Sequence, residues 1–381
     1  MRRAAILSFT EKGTGLNLWI GEQIRRESPG MTIENYAVSR FAAGECRPFT
    51  SITELMRDLF PSMDGILFIG AMGIAVRSIA PLIAGKDCDP AVLVMDELGE
   101  YCVSVLSGHL GGANEWCREV AVFAGAQPVI TTATDCEQRF AVDVFAAKNF
   151  LSITEIGKIK EISGRILEGK KVGAASEEEI SGPVPDGLRY YPISSPEGAV
   201  ISDELYHPGS TGTAEEAGFH IGYDKTALPF QTTLHLIPRD LFVGMGCRKG
   251  TPFTQLADFL DRAFRERGMA AERIRAIYSI DRKKEEEGLI QLARKLRVPF
   301  VTFSEDALRK VEGEYQGSAF VEHTVGVDNV CERSAVLGSG GGVLLVPKQA
   351  ENGMTLAVAQ KKFRLRWTWQ TPAPLDMADW E

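Results

Sequence analysis

Short apolar runs alternate with helical patterns over the first 135 residues, and this alternation limits the fold more than any other feature. The runs RAAILSF, TIENYAV, GILFIG and PVITTAT are predicted strands, with helices from about Leu16, across Ile52–Leu59 and from Gly111 to about Ala124. Strands that alternate with helices form βαβ units and a mainly parallel sheet. AVLVMDELGEYCVSVL differs, because its two runs flank a short turn with Gly99, which is typical of an antiparallel hairpin. The sequence predicts an N-terminal α/β domain at residues 1–137.

The same alternation weakens after residue 137 and returns at Leu241. Residues 138–238 have helical patterns at Phe140–Phe150 and Thr154–Leu167, and end in the turn-rich segment HPGSTGTAEEAGFH. They are predicted to form a smaller middle α/β domain followed by a linker. Residues 239–362 are predicted to form a C-terminal α/β domain with a mainly parallel sheet, and residues 363–381 a peripheral tail. Its strands are LFVGMG, RIRAIYSI, VPFVTF, GVLLV and MTLAVAQ, and its helices Phe253–Arg267, Glu285–Leu296, Asp306–Val311 and Asn329–Val336.

Charge and hydropathy exclude several classes of protein. The net charge of −9 argues against broad nucleic-acid binding, which needs a basic face. A few cations on glycine-rich loops can still attract a small anionic ligand. No apolar run reaches the roughly 18 residues of a membrane span, and the N-terminus lacks a signal-peptide core. We expect a soluble cytoplasmic protein without nucleic-acid or membrane partners.

The seven cysteines do not suggest a metal site. None stands in a CxxC pair or at zinc-site spacing, so we expect reduced thiols and no protein-bound metal. The sequence leaves the oligomeric state open, a homodimer included.

The segment VSVLSGHLGGANEW contains the first candidate site. A predicted strand runs into a glycine-rich turn that opens a helix, and Gly108, Gly111 and Gly112 would let backbone N–H groups approach an anion. His109 lies within the turn, and imidazole suits proton transfer near neutral pH. The candidate catalytic residues are His109, Asn114 and Ser107. A helix-capping turn with a surface histidine is the alternative.

A Ser-His-Asp hydrolase is a weaker interpretation of the same turn. The GxSxG motif is absent, and residues two apart, such as Ser107 and His109, rarely face each other well enough to exchange a proton.

A second glycine-rich turn, Gly70 to Gly73, follows the GILFIG strand. A helix and a further turn come after it, and VITTATD ends another predicted strand. Active sites of open α/β sheets lie at the carboxyl ends of strands, so we expect these segments and SGHLGGAN to converge on one cleft. The substrate-binding candidates there are Gly73, Arg77, Lys86, Asp89, Thr131, Thr132 and Asp135.

LFVGMGCRKGT has the strand, glycine turn and helix order of a dinucleotide fingerprint, but its spacing is GxGxxxG. We therefore favour an anion-binding turn with Gly246, Arg248 and Lys249. SIDRKKEEEGL follows a predicted strand, which adds Lys283 to the substrate-binding candidates. GSGGG is predicted to connect a helix to a strand.

Together these segments resemble the cobalt-precorrin-5A hydrolase family of anaerobic cobalamin biosynthesis. The N-terminal likeness lies in GIAVRSIAPLIAGKDCDPAVLVMDELG, LSGHLGGANE and PVITTATD, and the C-terminal one in GMGCRKGT, SIDRKKEEEGL, VGVDNVCERSA and TLAVAQ. The resemblance implies an enzyme that opens the δ-lactone of a cobalt-bound tetrapyrrole and releases acetaldehyde. It implies no cofactor, because water is the co-reactant and cobalt enters as part of the substrate.

A mechanistic hypothesis follows for this chain. His109 would deprotonate water, while N–H groups near Gly111 and Gly112 stabilise the oxyanion. Asn114 would orient substrate or water, and Arg77 and Lys86 would hold peripheral carboxylates. A non-catalytic cobalt-corrinoid carrier and a nucleotide-dependent α/β enzyme remain the alternatives.

Overall fold

The computed structural model describes residues 3–85, 88–193, 215–316 and 327–369. These residues divide into two compact units. The first holds the described residues up to Phe145 together with Ile159–Lys170 and residues 368–369, and the second holds Ala146–Lys158 and the described part of Lys171–Trp367.

The first unit is built on a sheet that has, among the described residues, seven strands in the order β3-β2-β1-β4-β5-β6-β7. The strands are β1 Arg3–Ser8, β2 Thr32–Val38, β3 Arg47–Phe49, β4 Gly65–Ile69, β5 Ala91–Met95, β6 Tyr101–Leu106 and β7 Gln127–Val129. The helices are α1 Glu11–Glu27, α2 Ile52–Leu59, α3 Met72–Ile79, α4 Ala113–Ala124 and α5 Ala133–Cys136, and α6 Val142–Lys148 and α7 Ile156–Leu167 follow.

Most predicted elements of this unit are confirmed. Helix α1 begins earlier than predicted, because the Thr10 hydroxyl caps it by accepting from the Gly13 N–H at 3.0 Å. Helix α4 begins at Ala113 rather than Gly111. Strand β3 was not predicted, since it spans only Arg47–Phe49.

Alternate residues of the central strands fill a core on each face of this sheet. Ile6 and Leu67 pack on one face with Trp116 of α4, while their neighbours Leu7 and Phe68 pack on the other with Met56 of α2. This two-sided burial is typical of an α/β sheet covered by helices on both faces.

The predicted hairpin is confirmed, and it reverses the direction of the chain just before the SGHLGGAN loop. Strands β5 and β6 pair antiparallel, with Val92 opposite Leu106 and Met95 opposite Cys102, whereas β4 pairs parallel with β5. The carboxyl end of β6 therefore lies at the edge where β4 and β5 begin. The prediction that SGHLGGAN and the Gly70 turn share one edge is wrong, because the Gly70 turn follows the carboxyl end of β4.

The middle sheet has, within the described residues, the strand order β11-β9-β12-β13-β8. Its pairs are parallel except β13 with β8. The AGFH portion of the predicted linker instead begins a buried strand, while HPGSTGTA lies outside the described residues. The strands of this sheet are β8 Leu151–Ile153, β9 Val172–Ser176, β11 Leu188–Pro192, β12 Ala217–Ile221 and β13 Thr232–Pro238. Strand β10, Ile180–Ser181, lies in the same stretch of chain but belongs to a separate two-stranded sheet.

The C-terminal sheet, in the part of the chain that is described, has the order β16-β15-β14-β18-β17. Strands β14, β15 and β16 are parallel, and β18 pairs antiparallel with β14 and β17. The strands are β14 Leu241–Gly246, β15 Ile274–Ile280, β16 Phe300–Phe303, β17 Val343–Glu351 and β18 Met354–Gln360. The helices are α8 Phe253–Arg265, α9 Glu287–Leu296, α10 Glu305–Arg309 and α11 Val330–Gly338.

The predicted strands and helices of this region are confirmed, and GSGGG connects α11 to β17 as expected. The start of the predicted tail is part of the fold. Strand β19, Leu365–Arg366, pairs with β10, and Leu365 and Trp367 are buried. Among the described residues, no helix combines the length and apolarity needed to cross a bilayer.

Candidate active site

The SGHLGGAN loop folds back on itself between β6 and α4. The N–H groups of Gly112, Ala113 and Asn114 donate to the carbonyls of His109, Ser107 and Gly108 at 2.9–3.1 Å. Gly112 caps α4 with a φ of 79°, a left-handed conformation that favours glycine. A Cβ at Gly111 would lie 2.4 Å from the Ser107 Cβ. Both glycines are therefore required by the turn.

The loop uses only some of its backbone donors. The Gly112 N–H, which was expected to stabilise an oxyanion, instead donates a hydrogen bond to the His109 carbonyl. The N–H groups of Leu110 and Gly111 donate to no described residue. These two donors remain available to an anion.

His109 lies between two carboxylates. Its Nε2 is 2.7 Å from Asp135 Oδ2, and its Nδ1 is 3.1 Å from Asp143 Oδ2. The three side chains are only 11–15% exposed. Because a carboxylate only accepts, both ring nitrogens donate, which is the arrangement of an imidazolium.

The electrostatics agree with this geometry. Burial alone would lower the pKa of His109, but hydrogen bonds and charge from Asp135 and Asp143 outweigh it and raise the pKa from 6.5 to about 9. At neutral pH His109 is therefore a cation that holds its proton. The hypothesis that it deprotonates water does not fit this arrangement.

Asp135 is the most heavily bonded member of the cluster. Besides His109, it accepts from Asn114 Nδ2 and from Arg118 Nη2, both at 2.9 Å. Burial raises its pKa, but His109 and Arg118 outweigh that effect and lower the pKa to about 2. Asp135 is thus a firmly ionised anchor and a poor proton acceptor.

Asn114 and Ser107 face the protein rather than a ligand. The Asn114 amide donates to Thr132 Oγ1 and Asp135 and accepts from Ser104 Oγ at 2.7 Å. Asn114 is 4% exposed, so it orients Asp135. The Ser107 hydroxyl donates to the Asp89 carbonyl at 3.0 Å. Both nitrogens of His109 are occupied by carboxylates, so the structure contains no Ser-His pair at this turn.

Three predicted segments do meet at this edge of the sheet. Strand β7 is parallel to β6, so Thr131, Thr132 and Asp135 follow it at the same edge as the SGHLGGAN loop. The loop before β5 also reaches this edge. However, the Asp89 carboxylate accepts from the N–H groups of Ala84 and Gly85 and so closes its own turn. Lys86 lies outside the described residues.

Gly73 and Arg77 lie on α3, apart from this convergence. Gly73 is in the first turn of the helix, next to the opposite edge of the sheet. Arg77 is in its last turn, is exposed, and makes no hydrogen bond or ion pair with a described residue. Its guanidinium is therefore free to hold an anion.

The C-terminal candidates lie in the second unit. Gly246 ends β14, and the exposed Arg248 and Lys249 follow in the next turn. Lys283 Nζ donates to Glu286 Oε2 at 2.8 Å, and Glu286 Oε1 accepts from the Gly250 N–H at 2.6 Å. Glu286 thus joins the GMGCRKGT turn to the segment after β15.

Sequence reasoning missed Asp143 and Arg118. Both lie on helices whose patterns predicted only packing, and they reach the site from the first turn of α6 and the second turn of α4. A carboxylate shortly after TTATD was the available signal. No group of three or more His, Cys, Asp or Glu residues able to hold a metal occurs among the described residues.

The sequence matches two described protein families. Residues 54–135 match "Cobalamin synthesis G N-terminal", and residues 241–359 match "Cobalamin synthesis G C-terminus". The first match includes the SGHLGGAN loop and Asp135, and the second spans most of the C-terminal sheet.

Two relatives that match most of this chain carry the same name. The chain is 36% identical over 307 residues to the cobalt-precorrin-5A hydrolase of Salmonella typhimurium, covering 79% of this chain and 83% of that protein. It is 29% identical over 376 residues to the cobalt-precorrin-5A hydrolase of Priestia megaterium, covering 93% and 94%. Protein CobE of a Sinorhizobium species is 28% identical over 121 residues, 31% of this chain and 79% of that protein. The extent of these matches shows that this chain belongs to the cobalt-precorrin-5A hydrolase family of cobalamin biosynthesis.

Proposed function

We propose that this chain hydrolyses cobalt-precorrin-5A in the cytoplasm, opening its δ-lactone and releasing acetaldehyde. Family membership supports the hydrolase activity. Cobalt arrives within the substrate, and water is the only co-reactant. The protein supplies no cofactor, and a homodimer is compatible with this activity.

The observation that carries the proposal is the protonated His109 held between Asp135 and Asp143 inside an anion-ready loop. Attack on a lactone carbonyl develops negative charge on its oxygen. The free N–H groups of Leu110 and Gly111 are suited to stabilise that charge, since preorganised donors act strongly in a partly buried site.

Asp143 is the residue of this cluster that is suited to act as the general base. His109 already carries its proton, and Asp135 is bound to three side chains. Asp143 bonds to His109 and to the N–H of Val144 at 3.0 Å, which leaves it acceptor capacity for water. Asp143 takes a proton from water while the oxygen forms a bond to the lactone carbonyl carbon.

The later steps open the lactone, release acetaldehyde and return a proton to the macrocycle. The acyl–oxygen bond breaks to give a carboxylic acid and an alkoxide, and the alkoxide forms the carbonyl of acetaldehyde. The adjacent carbon–carbon bond breaks, and its electron pair enters the macrocycle. Asp143 then donates to the ring carbon the proton that it took from water, and His109 keeps its own proton throughout.

Each unit presents exposed cations that are suited to hold a carboxylate. In the first unit Arg77 makes no hydrogen bond or ion pair with a described residue, and in the second unit Arg248 and Lys249 are exposed. Guanidinium groups bind carboxylates in a bidentate manner, which fits a polycarboxylate substrate.

The deciding experiment is anaerobic incubation of the purified chain with cobalt-precorrin-5A and assay of acetaldehyde. Stoichiometric acetaldehyde supports hydrolysis, whereas tight binding without acetaldehyde would support the carrier alternative. Repeating the reaction in ¹⁸O-labelled water tests the bond that breaks. Acyl–oxygen cleavage puts one label into the new carboxylate of the ring, and an unlabelled carboxylate would contradict the mechanism.

A further inference from the structure

Two partly buried arginines of the second unit have no carboxylate partner among the described residues. Arg239 lies between β13 and β14, and Arg275 lies at the start of β15. Arg239 Nη1 donates to the carbonyl of Arg297 at 3.1 Å, and Nη2 is 3.5 Å from Ser152 Oγ. Neither guanidinium forms an ion pair with a described residue, although both arginines contact Phe150, whose carbonyl accepts from the Arg239 backbone N–H at 3.0 Å.

Aromatic rings enclose one of these cations. The Arg275 Cζ lies 2.9 Å from the ring centroid of Phe150 and 5.9 Å from that of Phe363, and the two rings meet edge to face. Its Nη1 is buried and has no hydrogen-bond partner. Buried polar groups normally form hydrogen bonds, so we expect this nitrogen to donate to a partner other than the described residues.

A neighbouring arginine provides the contrast. Arg273 makes a bidentate contact with the buried Asp240, at 2.9 and 2.8 Å. Burial alone would lower the pKa of Arg273, but Asp240 raises it overall. Burial lowers the pKa of Arg275 to about 10 and that of Arg239 below its usual range, because no carboxylate compensates. The fold therefore gives Arg273 a carboxylate partner and gives Arg239 and Arg275 none among the described residues.

The ring over Arg275 is itself held in an uncommon conformation. Phe150 has a φ of 54°, which bulky residues rarely adopt, and its side chain is 46% exposed. This conformation closes the turn after α6, where the Phe150 N–H donates to the Ala147 carbonyl at 3.2 Å, and it leaves the exposed ring over the Arg275 guanidinium.

We infer that Arg239 and Arg275 form a binding site for a carboxylate group of a small anionic ligand. Phe150 brings the two residues together, because its ring stacks on Arg275 and its carbonyl accepts from the backbone N–H of Arg239 at 3.0 Å. The unpartnered Nη1 of Arg275 is the donor that a carboxylate would accept from, and Phe150 and Phe363 would shield that contact from water. The carboxylate belongs either to the periphery of a tetrapyrrole or to a free di- or tricarboxylate. Only the tetrapyrrole source rests on the proposed function.

Calorimetric titration of the full chain with uroporphyrin, a polycarboxylated tetrapyrrole, and with citrate separates the two sources. Binding of citrate indicates a free carboxylate, and binding of uroporphyrin alone indicates a tetrapyrrole carboxylate. Absence of binding by both probes would overturn the inference. This readout does not use acetaldehyde, so failure here is distinct from failure of the proposed activity.

Variants then locate the site. Arg275→Met keeps an unbranched stem against Phe150, and Arg239→Gln keeps a donor for the Arg297 carbonyl. Each should weaken binding about tenfold or more, because a charge-assisted hydrogen bond is lost. The matched control is Arg265→Gln, since Arg265 is exposed on α8 and forms no described ion pair.

Thermal melting without ligand keeps the test informative if one variant folds poorly. An unpaired cation does not stabilise the empty protein, so Arg239→Gln should melt at the wild-type temperature or above it. It should also lose the rise in melting temperature that the bound probe gives to the wild type. Wild-type affinity in every variant that folds would overturn the assignment.

Discussion

Asp143 Oδ2 lies 3.1 Å from His109 Nδ1, although the two residues are separated by 34 positions in the sequence. This contact occupies the ring nitrogen that the contact with Asp135 leaves open. It converts a histidine expected to accept a proton into one that holds a proton, and it makes Asp143 the acceptor of the proposed reaction.

Replacing Asp143 by Asn should lower kcat about a hundredfold or more and leave KM nearly unchanged, since a positioned proton acceptor typically contributes this much. Acetaldehyde release under anaerobic conditions measures the effect. The control is Asp58→Asn on the exposed side of α2, which should retain wild-type turnover. Turnover of Asp143→Asn within twofold of the wild type would remove Asp143 from the mechanism.

The pH dependence of kcat/KM distinguishes a cationic His109 from a basic one. With a pKa of about 9, the cation is lost as the pH rises through 9, so activity should fall there. A histidine that acts as a free base would instead lose activity as the pH falls through about 6.5. A profile that stays flat to pH 10 and declines below 6.5 would contradict the proposed role.

The free energy of unfolding should depend on the same titration of His109. The folded pKa of His109 is raised from 6.5, so its contribution is full below pH 6.5 and is lost as the pH rises through 9. The shift corresponds to on the order of 3 kcal/mol. The urea midpoint of the wild type should exceed that of His109→Gln at pH 6.5, and the difference should shrink by pH 10. A constant difference would mean that the histidine is not charged in the folded state.

Asp135 should act in the opposite direction at low pH. Its folded pKa is lowered from 3.8 to about 2, so its contribution is full above pH 3.8 and is lost as the pH falls through 2. Asp135→Asn should therefore lower the urea midpoint at pH 5 but have little effect near pH 2. An equal loss at both pH values would show that packing, rather than charge, explains the effect.

The turn itself can be tested with two glycines. Gly111→Ala would place a Cβ 2.4 Å from the Ser107 Cβ, and should cost about 1–3 kcal/mol and abolish acetaldehyde release. Gly15→Ala in α1 meets no atom within 4 Å, and should be neutral or stabilise by up to about 1 kcal/mol. Equal activities of the two variants would show that the loop tolerates rearrangement.

The sequence predicted the helices and strands better than it predicted which of them contact one another. Strong apolar runs identified β1, β4, β5 and the C-terminal strands, because such runs have few alternatives in an α/β chain. It missed the short β3, and assigned the start of β12 to a linker, since turn-forming residues precede Ala217. Local patterns are weak where an element is short.

The candidate site was predicted only in part. SGHLGGAN and TTATD do meet, but the hairpin between β5 and β6 carries them away from the Gly70 turn. Asp143 and Arg118 acquire their roles only through tertiary contact with His109 and Asp135. No periodicity in the sequence distinguishes such a partner from an ordinary charged residue on a helix.

The site is also assembled from a short stretch of the chain that begins at β6. The loop, its helix α4, β7 and both carboxylates come from one continuous stretch of chain, Tyr101 to Asp143. Few long loops need to close before His109 meets its partners, so the entropic cost of assembly is low. The site can therefore form and open as one cooperative segment at the edge of the sheet, while the parallel strands β1, β4 and β5 remain intact.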